Sequence, residues 1–305
     1  MNPAAIQTLR KLYPDRLQEQ VLLAGYTSAR IGGLADALLT IRSADELAEA
    51  AVCLWQMDAP VTLLGGGSNV LISDRGVRGV VLLNRARRVK FNNQADLPTV
   101  YAESGATLND IAQRAARLGL TGFEWAASVP GSLGGAVYGN AGAFGGEMAG
   151  NVVSVEILHR ERGRESWSLE KMDYGYRTSI LKYERQPVFI LAATLKLSHG
   201  EAGDIQAKMA GFSERRHRTQ PPGASMGSMF KNPPGDKAGR LIEAAGLKGT
   251  RIGGAEVSSQ HANFFVNTAN TRAEDMKSLL ELVQATVFSK FGVQLEPEIE
   301  LIGEW

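Results

Sequence analysis

Six short apolar runs, at Ala37–Ile41, Val61–Leu64, Val80–Leu83, Val100–Glu103, Val152–Leu158 and Val188–Leu197, are rich in Val, Leu and Ile and predict strands. Between them lie alanine-rich stretches whose apolar positions recur at helical spacing. Two of these open on a Ser or Thr followed three residues later by an acid, Ser43-Ala-Asp-Glu46 and Thr107-Leu-Asn-Asp110, which predicts a helix N-cap in each. A third, Thr271-Arg-Ala-Glu274, leads a stripe through Met276, Leu279, Leu280, Leu282, Val283 and Val287 to Phe288. Strands and helices alternate unevenly, which favours an α+β fold over a regular doubly wound sheet. Near the end the pattern alternates strictly. Read as a strand, Glu296, Glu298 and Glu300 share one face and Leu295, Ile299 and Leu301 the other, with Pro297 marking an edge or strand start. A polar, Gly-containing stretch at Ser198–Gly203 precedes a helix ending in Arg215-Arg216-His217-Arg218, and a domain boundary is expected there.

Composition narrows the classes. At 305 residues the chain has room for two or three domains. Its 33 Lys and Arg nearly cancel its 32 Asp and Glu, so a net charge of +1 gives no drive toward nucleic acid or an anionic membrane. The single cysteine, Cys53, excludes an internal disulfide framework and, beside Ala48, Ala51, Val52 and Trp55, reads as inert helix core. Met1–Tyr13 has no hydrophobic signal region and no apolar run reaches spanning length, so a cytoplasmic protein is expected. His159, His199, His217 and His261 pair with no nucleophile motif, and no His/Cys/acid spacing suggests a metal site.

Two glycine-rich segments carry the first chemical signal. Pro130 to Gly146 holds Gly131, Gly134, Gly135, Gly139, Gly142, Gly145 and Gly146 among small apolar or amide residues, unlike a flexible linker. This predicts an ordered, buried loop pressed against a flat or phosphorylated ligand. Upstream, Leu63-Leu64-Gly65-Gly66-Gly67-Ser68-Asn69-Val70-Leu71 follows an apolar strand, and its successive N–H groups are suited to an anion nest. One such cluster is commonly an ordinary turn; two suggest a large nucleotide cofactor held at more than one point. No G-x-x-x-x-G-K-[ST] is present, and Gly65–Gly67 leads into the strand-like Val70–Ser73 where a dinucleotide fingerprint needs a helix.

Three further segments stand out: Tyr174-Gly-Tyr176-Arg177-Thr-Ser179, Gly227-Ser228-Met-Phe-Lys231-Asn232-Pro233 and Leu295-Glu296-Pro-Glu298. Taken singly, Arg177 reads as a surface stack on tyrosine, Ser228 as a turn cap and the glutamates as a solvated face. In order and spacing, together with Leu63–Leu71, Ser128–Glu147 and Gly253–Asn267, they resemble the UDP-N-acetylenolpyruvoylglucosamine reductase family over nearly the whole chain.

The resemblance implies a two-subdomain FAD-binding module of the vanillyl-alcohol-oxidase type in residues 1–80 and 81–200, and an α+β substrate domain in 201–305. FAD is expected to bind non-covalently through Leu64, Gly65, Gly66, Gly67, Ser68, Asn69 and Val70, through Ser128, Val129, Pro130, Gly131, Ser132, Gly134 and Gly135, and through Asn140, Ala141 and Gly142. NADPH is the implied reductant and UDP-N-acetylglucosamine enolpyruvate the implied substrate. Flavin N5 would pass hydride to the enolpyruvyl methylene carbon, giving UDP-N-acetylmuramate for peptidoglycan. Arg177 and a protonated Glu298 would stabilise the charge that develops beside the carboxylate, and Ser228 would give the proton. Tyr176, Lys231, Asn232, Arg251 and His261 are the implied substrate contacts.

Two departures qualify this. Thr219 stands where the family often has a lysine for the substrate diphosphate, so Lys231 is expected to meet that group, with Arg216 or Arg218 in support. The segment after Leu197 lacks the tyrosine-bearing loop of one family branch, which points to the loop-lacking branch. Two other classes are weighed: an FAD-linked oxidase, which often tethers flavin through a histidine absent from Gly65–Asn69, and a non-catalytic nucleotide-sugar sensor, which has no need of a proton donor at Ser228.

Overall fold

A computed structural model describes residues 3–305, so the first two positions of the N-terminal stretch lie outside the described residues. The chain forms two compact units built from interleaved segments. The first holds the segments up to Gln18, Ala37–Gly66 and Gly79–Arg215; the second holds Glu19–Asp36, Gly67–Arg78 and Arg216–Trp305.

In the first unit, strand Val61–Leu64 lies parallel to Val77–Asn84, with Val61 opposite Val80 and Leu64 opposite Leu83. Helix Ala44–Gln56 buries Ala44, Leu47, Ala48, Ala50, Ala51 and Leu54, which with Leu9, Leu39, Ile41, Val80 and Leu82 form one apolar core. Its predicted cap is present: the Ser43 hydroxyl accepts from the Glu46 N–H at 3.1 Å. Buried Glu103 reinforces that end, accepting from Ala44 N at 3.1 Å and from Arg88 N at 2.8 Å. Cys53 sits on this helix but is only half-buried, so the expected inert core position is corrected.

A five-stranded sheet follows, in the order Gly163–Ser168, Val152–His159, Val188–Lys196, Thr99–Glu103, Val89–Asn92, with every pair antiparallel. Helix Leu108–Arg117, capped by Thr107 as predicted (Asp110 N to Oγ1, 3.2 Å), buries Leu108, Ile111, Ala112, Ala115 and Ala116 in the same core as Trp167 and Val155. The glycine-rich segment is not one continuous loop. It contains helix Leu133–Tyr138, because Gly134 lets that turn lie against Ser104, where a Cβ would come within 2.9 Å of the Ser104 Cβ.

The second unit carries an antiparallel sheet in the order Ala224–Ser228, Phe264–Asn267, Ala255–Val257, Arg251–Ile252, with helices Ala238–Ala244 and Ala273–Phe291 contributing to its core. Strand Val70–Ile72 pairs in parallel with Glu300–Ile302. The alternating C-terminal segment is a strand only from Glu300; Leu295 and Ile299 are buried as expected, whereas Leu301 is exposed.

The long helix corrects a prediction. Thr271 does not cap it: its hydroxyl donates to Asn267 Oδ1 at 2.7 Å. The free N–H groups go instead to the Asp74 carboxylate, Ala273 N at 2.9 Å and Glu274 N at 3.1 Å. A carboxylate at a helix N-terminus satisfies orphan donors and opposes the helix dipole. Asp74→Ala should therefore lower stability by about 1–2 kcal/mol, read as a shift in urea midpoint, while Thr271→Ala should cost less.

Candidate active site

The two glycine segments meet in the first unit. A Cβ on Gly66 would reach the Gly131 Cα at 3.0 Å, and one on Gly65 would reach Ser132 Oγ at 2.3 Å. Gly66 thus faces the Gly131 backbone and Gly65 the Ser132 hydroxyl, with little room for a side chain at either. Leu64 ends its strand fully buried, and Arg85 donates to the Gly65 carbonyl at 2.9 Å, fixing the turn from beneath. Ser132 starts helix Leu133–Tyr138, which carries Gly134 and Gly135. The Ser128 hydroxyl oxygen is buried without a hydrogen-bond partner among the described residues.

Asn140 is buried, and its amide is spent on protein partners: Nδ2 donates to Gly175 O at 2.9 Å and to Glu147 at 3.3 Å, and Oδ1 accepts from Ala149 N at 3.0 Å. Those bonds occupy its side chain, so an FAD contact at Asn140 falls to its backbone. Ala141 and Gly142 follow, the latter in a two-stranded ribbon opposite Glu147.

Arg177 sits in a tight turn closed by Gly175 N to Thr178 O at 3.1 Å and Thr178 N to Gly175 O at 3.3 Å. Its φ is +57°, the place in such a turn that Gly or Asn usually fills. Holding an arginine there costs on the order of 1–3 kcal/mol, which surrounding structure must impose. Its Nη2 donates to Gly142 O at 2.7 Å, and its guanidinium lies over the exposed Tyr176 ring, 5.7 Å from the centroid. Ser179 anchors the exit of the turn on Tyr138 O at 2.6 Å.

The second unit carries Ser228 and Glu298 on two segments that run side by side. Ser228 ends its strand opposite Phe264, after a bulge that begins at Ser225. The next residue, Met229, accepts from Glu298 N at 2.8 Å, and Lys231 N donates to Glu296 O at 2.9 Å. The chain from Met229 to Lys231 thus runs antiparallel to Glu296–Glu298 in one short ladder, with Met229 opposite Glu298 and Ser228 one residue further along. Two side chains lock that ladder, and sequence reasoning assigned neither this task. Asn263 accepts from Phe230 N at 3.0 Å and donates to Phe230 O at 2.8 Å. Asn69 donates from Nδ2 to Glu298 O at 3.1 Å, while its own carbonyl accepts from Glu300 N at 3.0 Å. A buried amide among Ala262, Phe264 and Phe265 was the available signal for Asn263.

The remaining candidates divide. Lys231 is ion-paired with Glu296, and Asn232 Oδ1 accepts from Ala238 N at 3.1 Å, capping the helix that begins there. Arg251 pairs with Glu256 at 2.6 Å on the edge of the sheet opposite Ser228, three strands or about 14 Å away. His261 accepts from Asn263 N at 3.2 Å and packs edge-on to Phe264, and burial pulls its pKa below the ordinary imidazole value. Arg216 differs from the other cations: its Nε and Nη1 are buried without a hydrogen-bond partner among the described residues, and burial lowers its pKa. An anion is the group that would complete it. Among the described residues no cluster of three or more His, Cys, Asp or Glu is placed to hold a metal ion, and no helix is long and apolar enough to cross a membrane.

A backbone cradle in one α+β unit, and a hydroxyl, a carboxyl and a buried cation in the other, are the parts of a flavin-dependent oxidoreductase. Residues 35–166 match the FAD binding domain family, and residues 218–302 match the UDP-N-acetylenolpyruvoylglucosamine reductase C-terminal domain. A reductase of that name from Synechococcus elongatus is 45% identical over 296 residues, covering 95% of this chain and 96% of that protein. One from Chloroflexus aggregans is 37% identical, covering 96% and 100%. The crystal structure of the Thermus caldophilus reductase superposes with a TM-score of 0.80 at 35% identity, covering 94% of this chain and 99% of the other. The chain belongs to the UDP-N-acetylenolpyruvoylglucosamine reductase family. The residues present fit FAD: the close approach of Gly65 and Gly66, which carry no side chains, to Gly131 and Ser132 leaves backbone N–H groups for a diphosphate, and Ser128 keeps a buried hydroxyl for a ligand.

Proposed function

We propose that this chain uses NADPH to reduce UDP-N-acetylglucosamine enolpyruvate to UDP-N-acetylmuramate, a step of peptidoglycan precursor synthesis. The observation that supports this most is the Glu298 N to Met229 O bond, which runs the segment after Ser228 alongside that of Glu298. Bound FAD supplies the hydride chemistry. The residues of this chain handle charge and protons. Reduction of the enolpyruvyl double bond leaves electron density on the carbon next to the carboxylate. Ser228 gives its hydroxyl proton to that carbon and regains one from solvent. Glu298, carrying its proton, donates a hydrogen bond to the carboxylate group, and the Arg177 fork offers it positive charge.

Arg216 is the cation best suited to the substrate diphosphate where Thr219 replaces a lysine. Lys231, favoured from sequence, already has the Glu296 carboxylate, whereas Arg216 has buried donors to spare. Tyr176, exposed beside Arg177, borders the substrate in this reading.

The purified protein should be yellow, bleach anaerobically with NADPH, and regain colour when the enolpyruvyl nucleotide is added. Acid precipitation should release all the colour to the supernatant. Colour left on the precipitate, or flavin that NADPH leaves oxidised, would overturn the reading.

A further inference from the structure

We infer that Asn140 is the positioning residue for Arg177, holding the strained turn that aims its guanidinium; this rests on the role given to Arg177 above. The turn has no glycine where its backbone calls for one, so the arginine conformation must be imposed from outside. Asn140 is the side chain that does this at the turn's base. Its Nδ2 donates to the Gly175 carbonyl, the same oxygen that accepts from Thr178 N to close the turn. The second Nδ2 proton goes to Glu147, which pairs across the ribbon with Gly142, and Gly142 O is the acceptor for Arg177 Nη2. Asn140 therefore grips both the backbone that carries Arg177 and the ribbon that receives its side chain.

The amide orientation is fixed by chemistry. Oδ1 faces the Ala149 N–H, a donor only, and Nδ2 faces the Gly175 carbonyl, an acceptor only. Asn140 itself has a φ of +45°, a conformation asparagine tolerates better than most residues, and it is buried. Replacement by alanine would leave the Gly175 and Ala149 groups short of a partner and free the turn to relax.

The test is a cycle of four holoenzymes: parent, Asn140→Ala, Arg177→Ala and the double variant. Flavin-to-protein absorbance, bleaching by NADPH, and recolouring by UDP-N-acetylglucosamine enolpyruvate are followed separately. Asn140→Ala should keep its flavin and bleach at close to the parent rate, yet recolour about 10- to 100-fold more slowly, the scale of loss that a misplacement near 1 Å brings. The double variant should be no slower than Arg177→Ala alone, because the clamp has nothing left to position. Losses that multiply, loss of flavin, or parent-like recolouring by Asn140→Ala would each overturn the inference. A parent-like Arg177→Ala would instead overturn the role of Arg177.

Asn140→Asp supplies an independent readout should the alanine variant fold poorly. Its carboxyl keeps the acceptor for Ala149 N, but donates to Gly175 O only when protonated. Beside the Glu147 carboxylate, and with Arg177 the nearby cation, a buried carboxyl should take up a proton at a higher pH than an exposed one. Recolouring by Asn140→Asp, relative to the parent at each pH, should rise as pH falls. A pH-independent ratio would count against the clamp.

Discussion

Ser228→Ala should bind flavin and bleach with NADPH as the parent does, yet recolour with the enolpyruvyl nucleotide about 10²–10⁴-fold more slowly, the range assigned to one proton-transferring side chain. The geometry makes this a test of chemistry more than of folding. Ser228 is held by its backbone pairing to Phe264, and the residues after it by the Asn263 clamp on Phe230 and the Met229–Glu298 bond. None of these uses the Ser228 hydroxyl. A serine hydroxyl is a weak acid, but the carbanion of the proposed reaction is a stronger base, so transfer would run downhill once the two were in contact. Ser228→Cys should keep part of the activity, since a thiol also yields a proton. Recolouring of Ser228→Ala within a few-fold of the parent would assign the proton to water or to another side chain.

What could be read from the chain follows from how local each cause is. The apolar runs at Val61–Leu64 and Val100–Glu103 became strands because a buried strand needs only a short stretch of suitable residues. Ser43 and Thr107 were legible as caps because cap and recipient lie three residues apart. The long C-terminal helix has its cap at Asp74, 199 residues from Ala273, and no local pattern could point there. Helix Leu133–Tyr138 was hidden for another reason. Glycine is a poor helix former, and Gly134 is tolerated because its missing side chain allows the approach to Ser104. The motifs singled out Arg177, Ser228 and Glu298, but not what holds them. Asn140, Asn69 and Asn263 act through backbone carbonyls and N–H groups distant in sequence. Their amide chemistry was visible and their partners were not. The same distinction reordered the cations, because only the fold shows that Lys231 has a carboxylate while Arg216 has buried donors.

Arg177 and Glu298 should matter to the sugar nucleotide and not to NADPH. Arg177→Ala and Glu298→Gln should bleach at near-parent rates and recolour about 10²–10³-fold more slowly, the usual cost of losing one preorganised charge contact. Glu298→Gln is close to isosteric and leaves the backbone bond to Met229 in place, so its loss reports on the carboxyl group itself. Arg177→Lys should recover only part of the rate, since a point charge cannot reproduce a planar fork. The turn supplies a control for structure. With φ at +57°, position 177 suits glycine better than any residue bearing a Cβ. Arg177→Gly should therefore be more stable than Arg177→Ala by about 1 kcal/mol, while both are equally slow to recolour. A rate that followed stability across the two variants would make Arg177 a structural residue. A rate indifferent to it places the arginine where it is for its charge, at a known cost in backbone strain.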